Sequence, residues 1–193
     1  MRSSLFAATA ALFLSLPIAA QRGGMANRNT PTVTQSIAFT NGNSVEVKYR
    51  AITWAQGRWM NALKNEQGRE TINNDLKANP TGSLTTAKDM TLGGQVVKAG
   101  DYKLYFQVDD EVKFHLVLAD EAGTEIKWKL DLTETKTENT RLALTLTAGK
   151  GDNDANFGVA FGTMACSVNM LSTADKSAKE AAAPAKGDKG KDK

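Results

Sequence analysis

His115 is the only histidine in the chain and Cys166 the only cysteine. Any nucleophile–base pair or transition-metal site would therefore have to be built from these two. General acid–base catalysis needs a base held by an orienting partner, and no acid stands at a diagnostic spacing from His115. This histidine falls on the polar side of a strand, between Lys113 and Val117. It is expected to face solvent or a helical insert, as an ordinary surface histidine does. Cys166 lies in TMACSVNM, in phase with Met164, Val168 and Met170, which predicts an inward thiol acting as a small hydrophobe. An inward thiol and an outward imidazole do not make a catalytic pair. No serine sits in a G-x-S-x-G elbow. One His and one Cys fall short of a usual zinc site, and the chain has neither a P-loop nor a dinucleotide fingerprint.

Two weaker constellations remain. Asp152, Asp154 and Asn156 in GKGDNDANFG place oxygen ligands at alternate positions, as the start of a Ca²⁺ loop does. Thr163 stands where an EF-hand loop would carry its bidentate Glu, and a polar turn between strands explains the same residues. Trp54, Trp59 and Tyr105 are the aromatics that could stack a sugar or small ligand, and His115, on the polar side of its own strand, is a further candidate ligand-binding residue. Against them stands ordinary core packing of the tryptophans, and Trp128 is in phase with a core row. Lys48, Arg50, Lys103, Lys113, Lys127 and Arg141 alternate with core residues and read as a solvated face opposed by Glu46, Glu125 and Asp131.

The elements that must position these groups are mostly strands. In Asp89–Leu118 the pair Gly93-Gly94 suits a two-residue hairpin, because such turns need positive φ. Tyr102, Leu104, Phe106 and Val108 alternate with polar residues or Tyr105, and after Asp109-Asp110-Glu111 the alternation resumes at Val112, Phe114, Leu116 and Leu118. A period of two marks a sheet with one buried face. Earlier strands are expected at Thr32–Phe39 and Ser44–Arg50 around an Asn41-Gly42 turn. Later ones are expected at Thr124–Leu132, Thr140–Ala148, Asn156–Gly162 and Thr163–Met170, with turns at Ala122-Gly123, Thr135–Asn139 and Gly149–Ala155. Between the two groups, 54–79 is rich in helix formers; Trp59, Met60 and Leu63 share one face, Ile72 and Leu76 another, and Pro80 ends the run. The fold class is mainly β, an antiparallel β-sandwich (jelly-roll-like) with a helical insert.

The two ends differ from this middle. Met1–Ala20 has the charged start, apolar core and small-residue exit of a signal peptide, and Leu5–Leu16 is too short for the roughly 20 residues that span a bilayer. Residues 21–31 form a flexible lead-in, 32–171 the sandwich with its insert at 54–79, and 172–193 a Lys/Ala-rich tail too poor in apolar residues to order itself. With the tail and Arg2 set aside, acids and bases are equal in number. A neutral fold argues against nucleic acid as a partner. No later segment is long enough to cross a membrane.

The run TAKDMTLGGQVVKAGDYKLYF resembles the hallmark segment of an exported bacterial family, domain of unknown function 2911. The VTQSIAF…VEVKYR pair, the WxxGRWMNAL region and the closing FGVAFG–TMACSV strands follow in the same order, so the resemblance covers roughly Thr32–Val168. Familiar members carry a Trp-Arg-x-Gly-Ala-Asn stretch before the Gly-Gly hairpin; here NEQGRETINNDLKANPTGSLTT fills that space. The resemblance implies an exported β-sandwich and no catalytic residues. The sequence thus leads to a periplasmic or extracellular, non-enzymatic binding or interaction module of the cell envelope, its partner an envelope protein or a glycan. A carbohydrate- or small-ligand-binding module comes second, and an enzyme of unrecognised type third.

Overall fold

The computed structural model describes residues 30–53 and 58–173, without the side chains of 58–60. The segment expected to be a signal peptide, most of the expected lead-in, the residues beyond Thr173, Trp54 and the side chain of Trp59 lie outside the described residues.

Among the described residues ten strands and two helices follow one another: β1 Thr32–Ala38, β2 Ser44–Arg50, α1 Arg58–Leu63, α2 Glu66–Ala78, β3 Gly82–Thr86, β4 Met90–Leu92, β5 Gln95–Val97, β6 Gly100–Val108, β7 Phe114–Ala119, β8 Glu125–Lys129, β9 Thr133–Ala148 and β10 Asp154–Ser172. A six-stranded sheet has the order β1-β2-β3-β6-β7-β8 and a four-stranded sheet the order β5-β4-β10-β9. All named pairings are antiparallel. The alternating rows enclose one core: Val45, Val47, Leu84, Leu104, Leu116 and Leu118 from the first sheet meet Met90, Leu92, Leu144, Phe157 and Met170 from the second. The chain is an antiparallel β-sandwich with a small helical insert. Among the described residues no helix is long and apolar enough to cross a membrane.

Hydrogen bonds from side chains and backbone staple the sandwich along both sides. On one, Trp128 Nε1 donates to the Leu92 carbonyl, and Gln95 Nε2 donates to the Lys127 carbonyl at 2.9 Å. On the other, the Leu146 amide donates to Gln35 Oε1 at 2.8 Å, and the Leu142 amide to the Ile52 carbonyl at 2.9 Å. At the end opposite the helices, buried Asn43 accepts the Lys88 amide at 2.7 Å, fixing the β3–β4 connection against the β1–β2 turn.

The Gly-Gly hairpin forms as its residues require: Gly93 and Gly94 have φ of 55° and 80°, the left-handed pair that a twisted two-residue turn demands. The β6–β7 turn is less regular. Val112 is not in a strand but in the left-handed region at φ 61°, an unusual place for a β-branched residue. Asp109 imposes this conformation by accepting the Glu111 amide at 3.0 Å and the Lys113 amide at 2.8 Å.

Two expected interruptions are absent. Thr135–Asn139 is not a turn, and the chain does not break between Gly162 and Thr163; β9 and β10 run on as single long strands. Their register slips instead, from Ala160↔Ala143 to Gly162↔Asn139 to Met164↔Glu134. The surplus of β9 is taken up in a bulge where the Thr135 hydroxyl donates to the carbonyls of Thr137 and Thr163. This exposed ribbon buries little, so its composition reads like a loop, yet its threonines suit extended backbone.

The helical insert is two short helices. In α2, Asn65 caps the N-terminus by accepting the Gly68 amide at 2.7 Å, and Pro80 follows the Asn79 cap. Ile72 and Leu76 are its buried residues. Arg69, Asn73 and Lys77, spaced four apart, tie it to the first sheet and its β6–β7 turn: Arg69 to Asp110 in the turn, Asn73 to Val108 and Lys77 to Glu125. The Asn73 contact is reciprocal, since its Oδ1 accepts the Val108 amide at 2.8 Å while its Nδ2 donates to the Val108 carbonyl at 2.9 Å. β3 begins opposite Leu104, so among the described residues the last residues of β6 have no strand on that side. One side-chain amide supplies the donor and acceptor that the missing strand would have brought.

Candidate ligand-binding crevice

Where α1 and α2 meet the open end of the sandwich, the inner rows do not close. Phe106 and Val108 of β6, Phe114 of β7, Leu142 of β9 and Phe161 of β10 face Leu63 of α1 and Ile72 and Leu76 of α2, with Ile52 and Thr53 at the side. They enclose a crevice of about 60 Å³. The rings of Phe114 and Phe161 bridge the two sheets there, with centroids 5.3 Å apart and planes tilted by 53°, within the centroid range of favourable aromatic pairs. Among the described residues that line the space, Thr53 is the single polar one. Apart from Thr53, its lining offers a water molecule few polar partners. It suits the end of an aliphatic group rather than an aromatic ring. The strand alternation identified Phe106, Val108, Phe114 and Leu142 as inward; that they stop short of filling the end was not visible, because it depends on where α2 comes to rest.

The residues singled out from the sequence do not gather in this crevice. Tyr105, expected on the wet face as a stacking platform, is only 1% exposed. Its hydroxyl donates to Glu125 Oε1 at 2.7 Å, and the same oxygen accepts from Lys77 Nζ at 2.7 Å. Burial, then the Glu125 carboxylate, pushes the Tyr105 hydroxyl well above the usual tyrosine value. The Lys77 ammonium, then the Tyr105 hydroxyl, holds Glu125 below the usual carboxylate range. Tyr105 is therefore a strut between the sheet and α2. Val117, apolar and directly opposite on β7, was the sequence signal that this face is covered.

His115 is likewise not an exposed surface histidine: its side chain is 14% exposed, with Nε2 3.7 Å from Asp109 Oδ2. Its Nδ1 is buried and has no partner among the described residues. Asp109 is held below the usual carboxylate range, first by the Lys113 amide, against opposing desolvation, and further by the Glu111 amide and His115. The acid that sequence spacing failed to pair with His115 is thus the residue that builds the β6–β7 turn. Its signal was local, an Asp that bonds backbone two residues on. The side chain of Phe114, next in sequence, lines the crevice; alternation sends His115 to the opposite face of β7.

Cys166 is half-buried on β10, in the four-stranded sheet, whereas His115 is on β7 in the six-stranded one. Burial is the main cause that raises its thiol. Asp152, Asp154 and Asn156 lie at the β9–β10 turn and the start of β10. Asn156 is paired with Thr147 in the ladder, and Asp154 exchanges backbone bonds with Gly149 and Gly151. Asn153, between the acids, makes the long-range contact, accepting the Thr40 hydroxyl at 3.1 Å and the Asn41 amide at 3.3 Å. Among the described residues no three His, Cys, Asp or Glu side chains converge on a point that could hold a metal ion. No family model, no curated protein and no solved structure matches the chain.

Proposed function

We propose that the protein is an exported, non-enzymatic binding module of the cell envelope, and that it receives a small aliphatic group in the crevice at its helical end. The observation that carries the reading is the lining of that crevice, drawn from both sheets and both helices and apolar except for Thr53. A concave apolar site at a junction of elements is the usual form of a small-ligand site. The placement of the thiol and the imidazole on different sheets supports a binding role over cysteine-based catalysis. The signal-like start of the chain and its resemblance to the exported family of unknown function support a periplasmic or extracellular address.

The test is a titration of methyl-labelled protein with n-hexanol followed by NMR. Saturable shifts confined to the methyls of Leu63, Ile72, Leu76 and Leu142 are expected. Leu142→Phe fills the space and should abolish them, at a stability cost of about 1–3 kcal/mol for overpacking. Uniform, unsaturable drift across all methyls would refute the assignment.

A further inference from the structure

Among the described residues, each sheet edge in this sandwich is guarded except one. β8 carries Glu125, Lys127 and Lys129 on its exposed positions, and its Lys127 carbonyl is already taken by Gln95. β5 is only three residues long. β9 is crossed by Ile52 and Thr53 and bonded by Gln35. Charge, shortness and cover are the common devices that keep an edge from pairing with another chain. β1, TVTQSIA, has seven residues with no charge and no proline.

The hydrogen-bond phase shows which groups β1 leaves open. The Phe39 amide donates to the Asn43 carbonyl, and the Ala51 amide to the Pro31 carbonyl, at the two ends of the β1–β2 register. Bonded pairs alternate along an antiparallel ladder, so Val33, Gln35 and Ile37 turn their backbone groups to β2. Those of Thr32, Thr34, Ser36 and Ala38 point outward. None of these four residues has a recorded backbone partner on that side among the described residues, and all four are exposed. The inward row tells the same story: Val33 and Ile37 are half-buried, whereas Val45 and Val47 on β2 are 0% and 1% exposed. Among the described residues no strand is hydrogen-bonded to the outer side of β1, and only the Gln35 side chain reaches from it to β9, where it accepts the Leu146 amide.

We propose that β1 is a dimerisation edge, and that its occupant is β1 of a second copy of this chain in antiparallel pairing. The strand is uncharged, so self-pairing meets no like-charge opposition. With a two-fold axis at Gln35, Thr34 of each copy lies opposite Ser36 of the other, and Thr32 opposite Ala38. All four outward residues then fall on bonded pairs, giving about eight backbone hydrogen bonds. This contact is isologous and closes at two copies, with no open end for fibre growth. A seven-residue strand pair is a small interface, so the dimer dissociates at about micromolar concentrations or above.

The experiment is sedimentation equilibrium on the full exported chain from ~1 µM to ~1 mM. The weight-average mass is expected to climb towards twice the monomer. Thr34→Pro should move the association midpoint at least about tenfold higher without unfolding the domain, because the Thr34 amide points away from β2 and edge positions tolerate proline. The double variant Thr34→Lys/Ser36→Lys, which sets lysines opposite one another across the axis, should do the same, and serves if the proline variant does not fold. A monomer at every concentration overturns the proposal and leaves the edge to an extended segment of another protein. Association unchanged in both variants overturns it as well.

Discussion

Replacing Asn73 by Ala tests whether a single side chain stands in for a strand. The variant removes both bonds to Val108. A net hydrogen bond contributes about 0.5–1.5 kcal/mol, so two contribute about 1–3 kcal/mol. Alanine recovers about 0.6 kcal/mol through its higher helix propensity, and Asn73 is only half-buried, so water can reach the vacated groups. The expected net loss is about 1–2 kcal/mol, which for a domain of this size lowers the melting temperature by roughly 3–8 °C. Asn74→Ala is the control: Asn74 is the exposed neighbour on the same helix, so its replacement gains the propensity and loses no bond to β6. The assay is urea unfolding of both variants, in which a lower midpoint at constant slope reports stability alone. Native-state hydrogen exchange should also show the Val108 amide losing protection in Asn73→Ala and keeping it in Asn74→Ala. Equal midpoints for the two variants would refute the idea that Asn73 completes β6.

The Lys77–Glu125–Tyr105 cluster makes stability depend on pH at both extremes. Glu125 titrates below its ordinary value of 4.5, so its contribution is full above that value and is lost as the pH falls through the folded-state value. Glu125→Gln should cost about 1–2 kcal/mol at pH 7, and urea midpoints of variant and wild type should converge in acid; a gap unchanged down to pH 2 would contradict the assignment. Tyr105 titrates above its ordinary value of 10.0, so its contribution is present below pH 10 and is lost as the pH rises through the folded-state value. Tyr105→Phe should flatten that alkaline limb in the same measurement. At Val112 the left-handed backbone costs a β-branched residue about 1–2 kcal/mol, which glycine relieves while giving up a half-buried side chain. Val112→Gly should therefore lie within about 0.5 kcal/mol of wild type in urea, whereas Val33→Gly, on ordinary extended backbone, should cost about 2 kcal/mol. Equal losses at the two sites would show that Val112 is not strained.

The sandwich was legible because alternation survives wherever one face is buried: β2, the Gly-Gly hairpin and β6 stand where their residues place them. The same rule failed at Tyr105, where it assigns a wet face that α2 covers through Lys77. Val117 shows the limit of the argument, since an apolar residue on a supposedly polar face signals a covering element without naming it. Thr135–Asn139 failed for the opposite reason: an exposed ribbon has no buried row, so periodicity carries no signal. Of the crevice, the inward residues were readable and the space between them was not. Its shape follows from Asn73 and Lys77 setting the height of α2, contacts that join residues 35 and 48 positions apart. The pairing of His115 with Asp109 was hidden in the same way, by a turn whose geometry rests on one carboxylate and a left-handed valine.

The length and place of β10 bear on the order in which this molecule assembles. It is the last described strand, and it lies between β4 and β9, bonded to both. Hairpins such as β1–β2 and β6–β7 can form as soon as their own residues are free. The second sheet cannot, because Met90 and Leu92 wait for Ser172 and Met170, some eighty positions downstream. Until that strand arrives, the inner face of the first sheet, Val45 to Leu118, has no cover. Pairings of such long sequence separation are slow to form. A core completed by the last described strand stays open until nearly all of the described residues are available, and locks only then.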